Sequence, residues 1–188
     1  MIHRLGILYL GCLLVCLPAA GTAAVIDHSG TISAHTTWGS ADVHRITDNV
    51  TVAAGIILTI EPGAVVKFNS GRWLRINGAI SAVGTPANRI IFTSYRDDSA
   101  GGDSNGDGPS SGAPGDWGNI YLGASITETL SQIQYIDVRY AGSGNTGSIY
   151  IDQNDLAIKD SVISDGSSHG ISLYGNASPV LDGNVIRG

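Results

Sequence analysis

Between residues 97 and 116 the chain carries five aspartates and no basic residue. Asp103, Asn105 and Asp107 set oxygen-bearing side chains at alternate positions, and Gly108 follows them. That order is half of a calcium loop. A hard cation takes carboxylate and amide oxygens, and the glycine permits the turn that folds them round one ion. The position at which a complete loop places its closing bidentate glutamate is Pro114 here. Closure therefore falls to Asp97, Asp98 or Asp116, or to carbonyls and water. Calcium in such a place is structural: it neutralises carboxylates that repel one another and fixes a long loop. The competing reading is a solvated Asp/Gly/Ser loop with no ion.

The rest of the chain must position this loop. Of 188 residues 26 are Gly, while only 14% are charged, well under the roughly 25% of an ordinary domain. Glycine shows no three-residue period, which excludes collagen, and a hydrophobic share of 43% excludes wholesale disorder. A formal charge of −6, with Lys67 and Lys159 as the only lysines, leaves no basic stripe for phosphates, so no nucleic-acid partner is expected.

Residues 1–24 read as a secretory signal. A basic start precedes the apolar run Leu5–Leu17, Pro18 breaks it, and small residues through Ala24 supply the cleavage site. The run is too short to span a bilayer, so no membrane span is expected after cleavage. Cys12 and Cys16 both lie in this segment, and their flanking residues suit a lipid anchor poorly. The mature chain is then cysteine-free and secreted, or held at the cell surface.

Beyond it, short apolar bursts alternate with Gly, Asn, Asp and Pro-Gly breaks, the pattern of strands and tight turns. Asn119–Leu122, Ser148–Ile151 and Gly170–Leu173 repeat one strand at intervals of 29 and 22 residues, and Ile158–Ile163 recurs 23 residues later as Leu181–Ile186. A unit of this size cannot bury its apolar side alone, but stacked units bury a continuous core. Side chains alternate along a strand, so Ile120/Leu122, Ile149/Ile151 and Ile171/Leu173 are predicted to stack inward, with Tyr121 and Tyr150 outward on one face. The reading is all-β: a parallel β-helix of about five coils, with a capping segment at 25–50, coils over 51–188 and a side loop at 96–117 that projects from them. His28, His35 and His44 are expected at the surface. Val185–Gly188 stops in mid-coil, leaving an open C-terminal end; the expectation is truncation, with concentration-dependent self-association through that coil.

Leu58-Thr59-Ile60-Glu61-Pro62-Gly63-Ala64-Val65-Val66-Lys67-Phe68, the preceding Thr36-Thr37-Trp38, and Gly170–Leu173 with Ser178-Pro179 resemble the secreted bacterial right-handed parallel β-helix proteins of the pectate-lyase-like superfold. The resemblance implies the architecture and says little of activity, since that fold serves lyases, hydrolases, adhesins and surface proteins alike. Ser167-Ser168-His169-Gly170 is similar to the His-Gly segment of the β-helix polygalacturonases. On that likeness, Asp165 and Asp137 are the carboxylates nearest to His169 for acid–base work on a glycosidic bond. The family's Asn-Thr-Asp and paired Asp-Asp segments are missing at the equivalent coils, and His-Gly is also a simple turn. A lyase would further need a base such as Arg139. Tyr121, Tyr150 and Trp117 form a candidate sugar-stacking strip, against the alternative of aromatics stacked within the wall. The expected function is a non-catalytic adhesive, glycan-binding or structural module with polysaccharide or cell-surface glycan as partner. The alternative is a fragment of a polysaccharide lyase or glycoside hydrolase.

Overall fold

A computed structural model describes residues 23–188. The signal-sequence expectation for 1–24, with Cys12 and Cys16, falls almost wholly outside the described residues. Among the described residues no helix is long and apolar enough to cross a membrane.

The strands are short and every pairing is parallel. Antiparallel neighbours can be joined by a tight hairpin, whereas parallel neighbours need the chain to travel round and return. Here it returns once per coil. The first coil comprises β1 (Val25–Ile32) and β2 (Thr36–Trp38), and the second β3 (Val43–Val52) and β4 (Ile57–Ile60). Then come β5 (Val65–Phe68), β6 (Leu74–Ile76) and β7 (Ala79–Val83), followed by β8 (Ile90–Ser94), β9 (Ile120–Leu122) and β10 (Gln132–Gln134). The fifth coil holds β11 (Ile136–Arg139), β12 (Ile149–Asp152) and β13 (Ile158–Lys159), and the sixth β14 (Val162–Ser164), β15 (Ile171–Tyr174) and β16 (Leu181–Asp182). β17 (Val185–Arg187) begins a seventh.

These strands make three walls. The first stacks the start of β3 with β5, β8, β11, β14 and β17, and the second stacks the end of β3 with β6, β9, β12 and β15. β3 is long enough to turn the corner between them. The third wall is a sheet of six strands, β2-β4-β7-β10-β13-β16. The protein is a parallel β-helix. Counted along the third wall it has six coils, and the first of them, β1 and β2, lies within residues 25–50. β1 pairs with β3 along both walls, with one register shift at the bend between His28 and Gly30.

The core follows from the register. On the second wall Val50, Leu74, Ile120, Ile149 and Ile171 share one level, and Val52, Ile76, Leu122, Ile151 and Leu173 the next. Nearly all of them are fully buried until the sixth coil, where Leu173 is exposed. Coils lie about 4.8 Å apart, so each inward side chain rests directly on the equivalent one below.

His35 is exposed, as expected, but the first coil closes over a histidine pair, with His28 half-buried and His44 buried. His28 Nε2 and His44 Nδ1 are 2.9 Å apart, and His44 Nε2 lies 3.0 Å from the Gly39 carbonyl oxygen. A carbonyl only accepts, so His44 carries its proton on Nε2 and takes the His28 N–H on Nδ1; both rings are neutral. Trp38 stacks on His44 and meets His28 at a tilt of 31°. Burial, then the neighbouring His44, push His28 from its ordinary 6.5 down to about 4, against the opposing pull of Asp27. Burial also lowers His44, opposed by its bond to Gly39 and by Asp42. The unfolded chain thus binds more protons than the fold between about 6.5 and 4. Stability is full above that window and declines as pH falls through it. Thermal melting at pH 7 and pH 5 should show the decline, and His28→Gln should flatten it. Asp27, lowered chiefly by its bond to Arg45, loses its own contribution only at more acid pH.

Candidate functional site

The insertion between β8 and β9 does not project. It folds back and lies across the first wall. Gly101 sits at φ +69° with the wall so close that a Cβ there would stand 2.7 Å from a Val43 methyl, and a Cβ on Gly112 would meet the Tyr140 ring at 2.3 Å. Glycine is required at both points because the strap is pressed flat. The rows beneath it, Val43 and Val65 beside Arg45 and Lys67, are outward positions that would otherwise face water.

Charge and hydrogen bonds fasten the strap. Lys67 is fully buried beneath it, and its Nζ donates to the Gly102 carbonyl at 2.6 Å. Burial lowers its pKa, while Asp98, Asp97 and Asp103 pull the other way. Arg45 holds Asp27 through two bonds and donates a third to the Ser104 carbonyl. Asp97, buried, accepts from the Thr93 hydroxyl at 2.6 Å and from the Ser99 amide at 3.1 Å, and its carboxylate lies 3.6 Å from Arg139. Asp116 accepts from the Ser94 hydroxyl and the Ala113 amide.

These bonds divide the aspartates of the expected calcium shell. Asp97 accepts on both oxygens and Asp116 on Oδ2, which makes them fasteners of the strap, and neither belongs to the carboxylate cluster. Asp98, Asp103 and Asp107 remain, each offering an oxygen within 4.8 Å of the other two. The two Asp103 oxygens also accept from the Gly106 and Gly108 amides, which winds the loop round them. Asn105 lies in the same turn with its amide oxygen and nitrogen buried and unpartnered, and Asp98 Oδ1 is likewise buried without a partner. Orphaned oxygens beside clustered carboxylates suit a hard cation. Lys67, which supplies a positive charge under the same carboxylates, had no signal in the sequence beyond being one of two lysines.

The residues singled out for acid–base chemistry do not assemble. Asp137 is bound to Arg139 at 2.7 Å within its own strand. Asp165 stands at φ +53° at the corner after β14, as Tyr140 does at φ +63° after β11, so it serves as a turn residue of the coil. His169 is exposed and its Nδ1 contacts the Ser168 hydroxyl, with no carboxylate bonded to the ring. Arg139 is engaged by Asp137 at 2.7 Å and lies 3.6 Å from Asp97, and its bond to Asp137, opposed by burial, raises its pKa.

The aromatic strip is different from the expected one. Trp117 is fully buried, stacked on Phe68 at 3.8 Å with its indole N–H donated to the Arg139 carbonyl, and presents no face to a sugar. Tyr121 and Tyr150 do point outward on neighbouring coils, but their rings stack at 5.1 Å and 11°, and Tyr174 continues the stack at 6.3 Å. The Arg75 guanidinium covers the other side of Tyr121 at 4.2 Å. Both faces of Tyr121 and Tyr150 are therefore taken, and Tyr121 is further tied by its hydroxyl bond to Asp152. Burial and that bond push the Tyr121 hydroxyl up to about 12. The open aromatic surface lies at the foot of the stack. There a pocket of about 250 Å³ is lined by Trp73, Arg75, Asn119 and Tyr121. Trp73 carries no signal of its own in the sequence, because its place beside Asn119 depends on a register that skips the whole loop.

Fold and site together define a class: a parallel β-helix with an acidic strap across one wall and an aromatic-and-arginine pocket on the next. No family model matches the chain, and no solved structure matches it. A stretch of 47 residues, 25% of this chain, is 47% identical to part of protein bark beetle of Drosophila melanogaster, and it spans 2% of that protein's length.

Proposed function

We propose that this chain is a secreted or cell-surface, non-catalytic β-helix module of the pectate-lyase-like superfold that binds glycan, with calcium in the strap as a structural ion. The observation that carries the binding reading is the pocket on the second wall: an indole, an amide and a guanidinium converge on a surface of rigid stacked strands. Flat aromatics stack on sugar rings, and amides bond their hydroxyls. The non-catalytic reading is supported by the ion pair that engages Asp137 with Arg139 and by the bonding of His169 to Ser168 and not to a carboxylate. Incubation with a panel of polysaccharides should give retention without bond cleavage. Cleavage that disappears in Asp165→Ala or His169→Ala would overturn it.

For calcium, Asp98, Asp103 and Asp107 supply carboxylate oxygens and Asn105 its amide oxygen. Saturation at about a hundred times Kd stabilises by about 2.7 kcal/mol. In a chain of this size that raises the melting temperature by roughly 5–10 °C. A melting temperature indifferent to calcium and to chelator, with no calcium taken up, defeats the calcium reading. Self-association is proposed through the sixth coil and β17, where Leu173, Tyr174, Val180, Leu181, Val185 and Ile186 are all exposed.

A further inference from the structure

We infer that the pocket on the second wall selects a sugar carrying an anionic substituent, a carboxylate or a sulfate ester, and that Arg75 is the residue that reads it. This rests on the glycan-binding reading and specifies the ligand's charge.

Arg75 is held in place from two sides. Its Nε donates to Asn77 Oδ1 at 3.0 Å, and its guanidinium plane lies over the Tyr121 ring. Those contacts fix the fork, yet among the described residues neither terminal nitrogen has a hydrogen-bond or ion-pair partner. Asp152, two coils on, accepts from the Tyr121 hydroxyl and makes no ion pair with Arg75. An immobilised fork with its paired N–H groups open to a pocket is the geometry that binds carboxylate or sulfate through two parallel bonds. Its orientation cost is already met by the aromatic stack, so a ligand orders little on arrival.

The other walls complete the description. Trp73 supplies an aromatic surface for the ring's C–H face. Asn119 donates its amide N–H to the Thr146 hydroxyl at 3.0 Å, which fixes the amide and leaves its carbonyl oxygen to accept from a ligand hydroxyl. A volume of about 250 Å³ lies below the usual range of roughly 300–1,000 Å³ for drug-sized ligands. The pocket therefore takes one monosaccharide, at a chain end or on a side branch. The overall charge of −6 repels polyanions at long range. Charge selection here must come from this local fork and not from a general field.

The test is equilibrium binding of the full chain to three sets of oligosaccharides: neutral, carboxylated and sulfated. Arg75→Gln, Arg75→Lys and Trp73→Ala are run beside the wild type, each checked by its melting curve. The wild type should bind carboxylated or sulfated sugars at least tenfold more tightly than neutral ones of the same backbone, and the two charged sets show which anion fits. Arg75→Gln should abolish that preference, so that charged and neutral sugars of the same backbone bind this variant alike. Arg75→Lys should restore only part of it, since an ammonium lacks the paired fork. Trp73→Ala should weaken all sets alike. Neutral sugars bound as tightly as charged ones, or a preference that survives Arg75→Gln, overturns the inference while leaving glycan binding intact. If no sugar of any set is bound, the glycan reading itself fails.

Discussion

Asp97→Asn is expected to release the strap from the first wall and to lower the melting temperature by about 10 °C. The carboxylate is 2% exposed, and every group facing it is a donor: the Thr93 hydroxyl, the Ser99 amide and hydroxyl, and the Arg139 guanidinium. An asparagine keeps the size but offers one acceptor in place of two and turns an N–H₂ toward those donors. Arg139 then keeps Asp137 alone as its counter-charge. Removing one member of a buried charged network costs about 3–5 kcal/mol, and at this chain length each kcal/mol is worth roughly 2–4 °C. The same variant should expose residues 98–116 to proteolysis while the β signal of the coils persists, because the inward layers do not touch Asp97. Unchanged melting with an uncleaved strap would mean that Lys67–Gly102 and Ser94–Asp116 suffice to hold it.

The coils were legible in the sequence because their physics is local and repeated. Alternation decides which side chain is inward, and a strand seen three times at Ile120, Ile149 and Ile171 fixes the stacking partner. The stacking register predicted there is the register found, with Leu173 of the sixth coil exposed. Trp117 shows where such reasoning stops. It immediately precedes Gly118 at the loop's return, with an aromatic side chain that local pattern cannot assign inward or outward. Its burial is decided by Phe68, far away in sequence but in the adjacent coil, directly beneath it. The aspartates divide in the same way. Asp103, Asn105 and Asp107 are a local motif, wound by the Gly106 and Gly108 amides, and their gathering could be read from spacing. Asp97 and Asp116 are equally acidic and equally near, but Thr93, Ser94 and Arg139 compete for them from the wall, and no spacing within the loop reveals those partners. The pocket was hidden for a related reason: Trp73 and Asn119 are neighbours only because the long strap leaves the coil and rejoins it without breaking register.

Lys67→Met is expected to separate the two cations that the strap can use. In the wild type a buried ammonium already stands beneath Asp98, Asp97 and Asp103, bonded only to the Gly102 carbonyl. It pays part of the repulsion among the carboxylates, and it also repels any divalent ion they bind. Methionine fills a similar volume without charge. In chelator the variant should melt below the wild type, since the carboxylates lose their counter-charge and the Gly102 oxygen its donor. In calcium the order should close or reverse. A unit charge at ~8 Å from a divalent ion, at an effective dielectric of ~40, costs about 2 kcal/mol. Removing it should therefore tighten calcium binding roughly ten- to hundredfold, read by titration calorimetry on both proteins. Salt should diminish the gain only modestly, because the ammonium is buried and poorly screened. A variant that melts lower in chelator and gains nothing from calcium would show that Lys67 is itself the strap's cation and that the clustered oxygens hold no second one.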